Sequence, residues 1–151
     1  MKQHPMLACA SAILLFATIA AVGQAELTAQ QPRKKMVAPI RGEAELGFTK
    51  PVVKRARGEV VTTIRIQNLS ETNTIVGLKV DEFWYDKGGD PVTGDQYRHR
   101  RPLMPQEVIE VVLHTPVNPK MDRNQYMFEH AHGAINTVAV PELELPPAEE
   151  E

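Results

Sequence analysis

Hydrophobic and polar positions alternate along much of the chain with a period of two, which is typical of half-buried β-strands. The stretch 59–68, EVVTTIRIQN, is the clearest example. The stretch 75–92, IVGLKVDEFWYDKGGDPV, puts its even-numbered apolar residues on one face, and its DKGGD segment is typical of a tight turn. The pattern predicts a hairpin over 75–92 at the centre of an antiparallel β-domain.

Weaker alternation of the same kind predicts the remaining strands, at 42–54, 92–101, 108–114, 125–131 and 135–140. No helical pattern follows residue 25, so dinucleotide-binding and phosphate-loop folds, which need alternating strands and helices, are excluded. About seven short strands separated by turn signals predict an all-β fold, a single antiparallel immunoglobulin-like β-sandwich at 42–141.

The two ends of the chain differ in composition from this domain. Residues 1–25 combine Lys2 with an apolar run and small residues before Glu26, which predicts a cleaved signal peptide. A retained membrane anchor is the alternative, and both interpretations place the domain outside the cytoplasm, in the periplasm or secreted. Residues 26–41 are predicted to be a flexible basic linker, which could contact a membrane or cell-wall polymer, and residues 142–151 a disordered acidic tail.

Composition narrows the classes of partner. The chain is 42% hydrophobic and 24% charged, with a formal net charge of −2. Nucleic-acid binding is not expected, because it needs a concentrated basic surface. The single cysteine, Cys9, lies in the apolar N-terminal segment, so the rest of the chain can form no internal disulfide.

The strands and turns from about residue 58 to residue 140 resemble the FxLYD-type bacterial extracytoplasmic domains. The markers of the resemblance are Asn68 with Ser70, Tyr85-Asp86, Gly88-Gly89 and Leu103-Met104-Pro105. Glu82 stands where the family has Phe, and Trp84 where it has Leu. The resemblance implies an immunoglobulin-like sandwich of the cell envelope, and it implies no reaction.

Motifs of hydrolytic enzymes are missing from the sequence, which has neither a Gly-x-Ser-x-Gly elbow nor an HExxH sequence. Asp81 and Glu82 are adjacent, so on a strand they point to opposite faces and cannot form an acid–base pair. We therefore expect a non-enzymatic module that binds another envelope protein through a sheet face or an edge strand. The candidate binding residues are Trp84, Tyr97, Arg98, Arg100 and Arg101. The alternative roles are a core position for Trp84 and protection of an edge strand by the arginines.

A copper or zinc carrier is the alternative function. His130 and His132 are two residues apart, so on a strand they project to the same side, as metal ligands must. His114, on the strand that precedes them in sequence, could add a third ligand, and Met121 or Met127 could supply a thioether suited to Cu(I).

Overall fold

The computed structural model describes residues 36–147, in which the chain forms eight β-strands and no helix. The strands are β1 (Ala44–Phe48), β2 (Val52–Ala56), β3 (Glu59–Asn68), β4 (Lys79–Tyr85), β5 (Pro91–Arg98), β6 (Val108–Pro116), β7 (Arg123–His130) and β8 (Gly133–Ala139). The prediction of an all-β fold is therefore confirmed. The predicted signal peptide, Cys9 and the linker up to residue 35 lie outside the described residues, as do residues 148–151.

The strands form one curled sheet in the order β2-β3-β1-β8-β7-β4-β5, and β6 pairs with β3 outside this path. Most neighbouring strands are antiparallel, but β1 and β8 run parallel, from Ala44 opposite Ile135 to Phe48 opposite Ala139. The sheet is therefore mixed, and the prediction of a purely antiparallel arrangement is wrong at this pair. Hydrophobic alternation identifies a strand and its faces, but it carries no information on the direction of a distant partner.

The single strand predicted within 42–54 is two strands, with Pro51 between them. Both pair with β3, since Val52 of β2 lies opposite Thr63 and Leu46 of β1 lies opposite Asn68. Proline has no backbone N–H to donate to a ladder, so the break falls at a residue that could not have continued the pairing.

The central strand begins later than predicted. β4 starts at Lys79, whereas Ile75 exchanges two backbone hydrogen bonds with Leu103, of 3.0 and 2.8 Å. Gly77 separates the two segments and has φ +67°. This left-handed conformation is accessible to glycine and strained for most other residues, so Gly77 ends one pairing before the next begins.

The core lies on the inner surface of the curled sheet. Of the apolar residues predicted on one face of the central strand, Leu78, Val80 and Trp84 are buried there, with Val80 at 0% and Trp84 at 8% exposure. Val76 of the same face is only half-buried. β3 and β6 alternate buried and more exposed residues along their whole length, as their sequence predicts. The core cluster consists of Val80 with Ala44, Leu46, Ile64, Ile66, Ile75, Leu78, Leu103, Ile109, Val111 and Leu113.

Side chains connect β5 to β6 without a backbone ladder between them. The Asp95 carboxylate accepts the backbone N–H of His114 at 2.7 Å, and Thr93 Oγ1 donates to the carbonyl of Pro116 at 3.1 Å. These exposed contacts join the two strands. The predicted strand at 92–101 exposes alternate residues, and Tyr97 between them packs against the core.

Both segments that flank the predicted domain make contacts with the sheet. Ile40, in the predicted linker, donates its backbone N–H to the Thr74 carbonyl at 2.8 Å, and Thr74 donates to the Ala38 carbonyl at 2.9 Å. In the predicted disordered tail, Leu143 is only 8% exposed and its carbonyl accepts Arg65 Nη1 at 3.0 Å. Contacts with the domain therefore extend to Ala38 on one side and to Leu143 on the other.

Candidate functional site

A polar cluster lies inside the sheet around Glu82, which is 1% exposed. Glu82 has the same strand parity as Val80 and Trp84, so its side chain points into the core with theirs. Asp81 points to the other face, where it pairs with Lys79 at 2.9 Å and accepts Gln96 Nε2 at 2.6 Å. The prediction that the two acids cannot act as a pair therefore agrees with their positions. The burial of Glu82 was missed, although its parity in the sequence already indicated it.

The Glu82 carboxylate accepts hydrogen bonds from neutral side chains on three strands. Oε1 accepts Thr62 Oγ1 at 2.8 Å and Asn124 Nδ2 at 3.2 Å, and Oε2 accepts Thr115 Oγ1 at 2.5 Å. Tyr126 lies opposite Glu82 on β7, with its hydroxyl 2.6 Å from Asn124 Nδ2. Burial, together with the nearby charge of Glu82, raises the pKa of Tyr126 to about 12.

This cluster holds strands together and offers no surface to a substrate. Both carboxylate oxygens of Glu82 are engaged by protein donors and the side chain is closed to solvent. Buried polar groups are stable when each finds a partner, and here the partners come from β3, β6 and β7. We therefore assign the Glu82 cluster to the architecture of the fold.

Asn68, a marker of the FxLYD resemblance, also has an architectural role. It is 0% exposed, and its Nδ2 lies 2.8 to 3.1 Å from the backbone carbonyl oxygens of Asn73, Leu103 and Met104. One buried amide thus fixes the end of β3 against the segment that precedes β6. The 68–70 triplet matches a glycosylation acceptor, but in the folded chain this amide is enclosed.

The five predicted binding residues do not form one surface. Trp84 is buried, and Tyr97 faces the core with its hydroxyl 3.0 Å from His99 Nδ1. Arg98 lies on the opposite face of β5 and donates through Nε to Gln96 at 2.8 Å. Arg100 is exposed, and Arg101 forms an ion pair with Glu107. A single site that uses all five would need both faces of the strand.

The three histidines proposed as metal ligands have different surroundings. His114 is exposed on β6, with Nδ1 3.3 Å from Glu59 Oε2. His130 is 7% exposed, and its Nε2 lies 2.9 Å from the Gly42 carbonyl and 3.1 Å from that of Ala134. The Nδ1 of His130 accepts the backbone N–H of His132 at 3.4 Å. β6 pairs with β3 rather than with β7, so His114 is not on a strand next to the other two.

Among residues 36–147, no three side chains of His, Cys, Asp or Glu lie close enough together to hold a metal ion.

In the same residues, no helix has the length and apolar character needed to cross a membrane.

Within residues 36–147, an unpaired strand edge remains between β7 and β8. These strands pair only at Glu129 with Ala134 and at His130 with Gly133. From Ile135 onward β8 pairs with β1 on one side and has no ladder partner on the other among residues 36–147. All residues of β8 except Ile135 are exposed, including Val138 at 39%.

In the part of the chain that the structure describes, the β8 edge differs from the other strand edges because no charge, proline or covering segment blocks it. The sequence of β8, GAINTVA, has neither a charged residue nor a proline. The β2 edge carries Lys54 and Arg55, and β5 and β6 are connected by the Asp95 and Thr93 contacts described above. Exposed edges in natural proteins are usually blocked by charges, prolines or covering segments, since free backbone groups invite another strand.

The chain was compared with protein-family models, with curated proteins and with solved structures, and none of the three comparisons gives a match.

Proposed function

We propose that this chain is a non-enzymatic module of the bacterial cell envelope, secreted or periplasmic, that binds a protein partner by accepting one of its strands at the β8 edge. The unprotected edge at 135–139 is the observation that carries this proposal. Strand addition takes its affinity from main-chain hydrogen bonds and its specificity from alternate side chains. The finer fold assignment that accompanies it is an FxLYD-like, immunoglobulin-like sandwich.

The partner segment that fits this edge is extended and uncharged, with apolar residues at alternate positions. Phe48 of β1 and Phe128 of β7 are half-buried and pack together with their ring centroids 5.6 Å apart. They come from the strands on either side of β8 in the sheet order, so an added strand would meet apolar surface on its inner side. Val138 and Met127, at 39% and 42% exposure, offer apolar contacts on the other face.

Glu82 has no part in the proposed function, because its buried acid has no access to a substrate. No contact within residues 36–147 favours the copper or zinc alternative. The exposed Arg98 and Arg100 remain the competing location for a protein interface, and the experiment below separates the two locations.

The test uses photo-crosslinking amino acids in the full chain, one at Asn136 on the β8 edge and one at Arg98 on β5. We expect an envelope protein to be crosslinked from Asn136, and the amides of 135–139 to exchange more slowly in that complex. Val138→Lys should reduce the yield at least about tenfold, because a charge on the edge opposes strand addition. Val112→Lys is the matched control, since Val112 is 38% exposed on β6.

Crosslinks from Arg98 that persist in Val138→Lys would overturn the β8 assignment and locate the interface on the basic strand. A complex in which exchange at 135–139 is unchanged would exclude strand addition even if the partner is real.

A further inference from the structure

The segment that follows β8 is seated on the outer face of the sheet. Val140 donates its backbone N–H to the Phe48 carbonyl at 2.9 Å, and Arg65 Nη1 then binds the Leu143 carbonyl at 3.0 Å. Leu143 is 8% exposed, whereas Leu145, two residues later in the repeated Glu-Leu sequence, is 39% exposed. One leucine of the repeat is therefore anchored and the other is not.

A groove of about 450 Å³ lies beside this segment. Its sheet side includes Val52 and Thr63, together with the cations Lys50, Lys54 and Arg65. An acid on that side, Glu110, is already paired through Oε2 with Arg65 Nε at 3.2 Å. The groove thus combines an exposed valine with an excess of positive charge.

The seated segment has the complementary chemistry. Leu143 lies between Glu142 and Glu144, and both glutamates are exposed. The Leu143 carbonyl accepts a hydrogen bond from the guanidinium of Arg65, and the Leu143 side chain lines the groove. The segment thus brings an extended backbone, a buried leucine and the carboxylate of Glu142 to the groove, and none of these features requires that the segment belong to the same chain.

We propose that this groove is a binding site for an extended, acidic, leucine-bearing segment of another protein, and that residues 141–143 of the chain itself cover part of it as an intramolecular competitor. The site is on the outer face of the sheet and is distinct from the β8 edge. A tethered competitor acts at an effective concentration of about millimolar. A partner must therefore be present above that concentration, or bind after the tethered segment has dissociated.

The test measures fluorescence anisotropy of a labelled peptide, residues 141–151, titrated with the full chain. Leu143→Ser in the protein weakens the competitor and should tighten peptide binding by about 10- to 100-fold, the value of one buried leucine. Leu145→Ser is the matched control and should behave as the wild type does. Adding Arg65→Gln to Leu143→Ser should weaken the binding again, and a peptide with Ser in place of Leu143 should bind at least about tenfold more weakly.

Equal peptide binding by the Leu143→Ser and Leu145→Ser proteins would overturn the proposal, as would equal binding of the two peptides, which would show charge attraction alone. If Leu143→Ser does not fold, methyl NMR of the wild type decides. Excess peptide should move the Leu143 methyl signals toward those of a solvent-exposed leucine and leave the Leu145 signals in place, and unchanged Leu143 signals would refute the competition.

Discussion

Replacement of Glu82 tests whether its carboxylate acts through hydrogen bonds or through its charge. Glu82→Ala removes the acceptor for Thr62, Thr115 and Asn124 and leaves a cavity in a site that is 1% exposed. An unsatisfied buried donor costs about 1–3 kcal/mol, and loss of a large buried side chain adds a cavity cost. The threonine hydroxyls can rotate toward other acceptors, so we expect a total loss of about 3–5 kcal/mol in the free energy of unfolding.

Glu82→Gln should be far milder, within about 1 kcal/mol of the wild type in either direction. The amide oxygen can keep the position of Oε1, which accepts Thr62 and Asn124. The amide nitrogen then replaces Oε2 and donates to Thr115 Oγ1, because a hydroxyl can accept as well as donate. The network keeps its connections and no longer holds a buried charge, whose desolvation opposes folding.

Urea denaturation of the full-length variants measures both effects, with the free energy of unfolding taken from the midpoint and the slope. Thr115→Val in the wild type and in Glu82→Gln completes a double-mutant cycle for the shortest contact of the cluster. A loss for Glu82→Gln as large as that for Glu82→Ala would refute this reasoning. It would show that the negative charge itself is required, and so that the carboxylate balances a positive charge rather than neutral donors.

Three further predictions concern the titration of Tyr126 and His99 and the steric room for a Cβ at two glycines. Because the pKa of Tyr126 is raised to about 12, the folded chain keeps a proton that the unfolded chain releases near pH 10. Its stabilising contribution is therefore complete below about pH 10 and is lost as the pH rises toward 12, and tyrosinate absorbance with Tyr126→Phe as control checks this. Burial lowers the pKa of His99 from 6.5, so the unfolded state binds the imidazole proton more readily than the folded state does. The free energy of unfolding should therefore fall as the pH drops below 6.5, and NMR titration of His99 checks this. Gly133→Ala would bring a Cβ against the Gly42 carbonyl and should cost about 3 kcal/mol or more in thermal unfolding, whereas Gly58→Ala has open space and should cost only about 1–2 kcal/mol for its positive φ. Equal losses at the two glycines would contradict the steric argument.

The candidate sites differ in how far the sequence could have revealed them. The inward direction of Glu82 follows from its parity with Val80 and Trp84, so it could have been predicted from 75–92 alone. That its donors would come from β3, β6 and β7 could not, since these strands are separated from β4 by loops of unrelated sequence. The Leu143 contact could not be predicted from the sequence either, because an acidic, proline-rich composition is typical of disorder.

The sequence by itself determined the all-β class, the bounds of β3 and the faces of the central strand, because period-two alternation is local and sets which side chains can be buried. The tertiary structure alone decided that β1 runs parallel to β8, that the β8 edge has no ladder partner among residues 36–147 and that residue 143 reaches Arg65. Those features depend on which distant segments meet and in which direction. That choice is made by the packing of the whole core and the closure of long loops, for which no single stretch of sequence carries a signal.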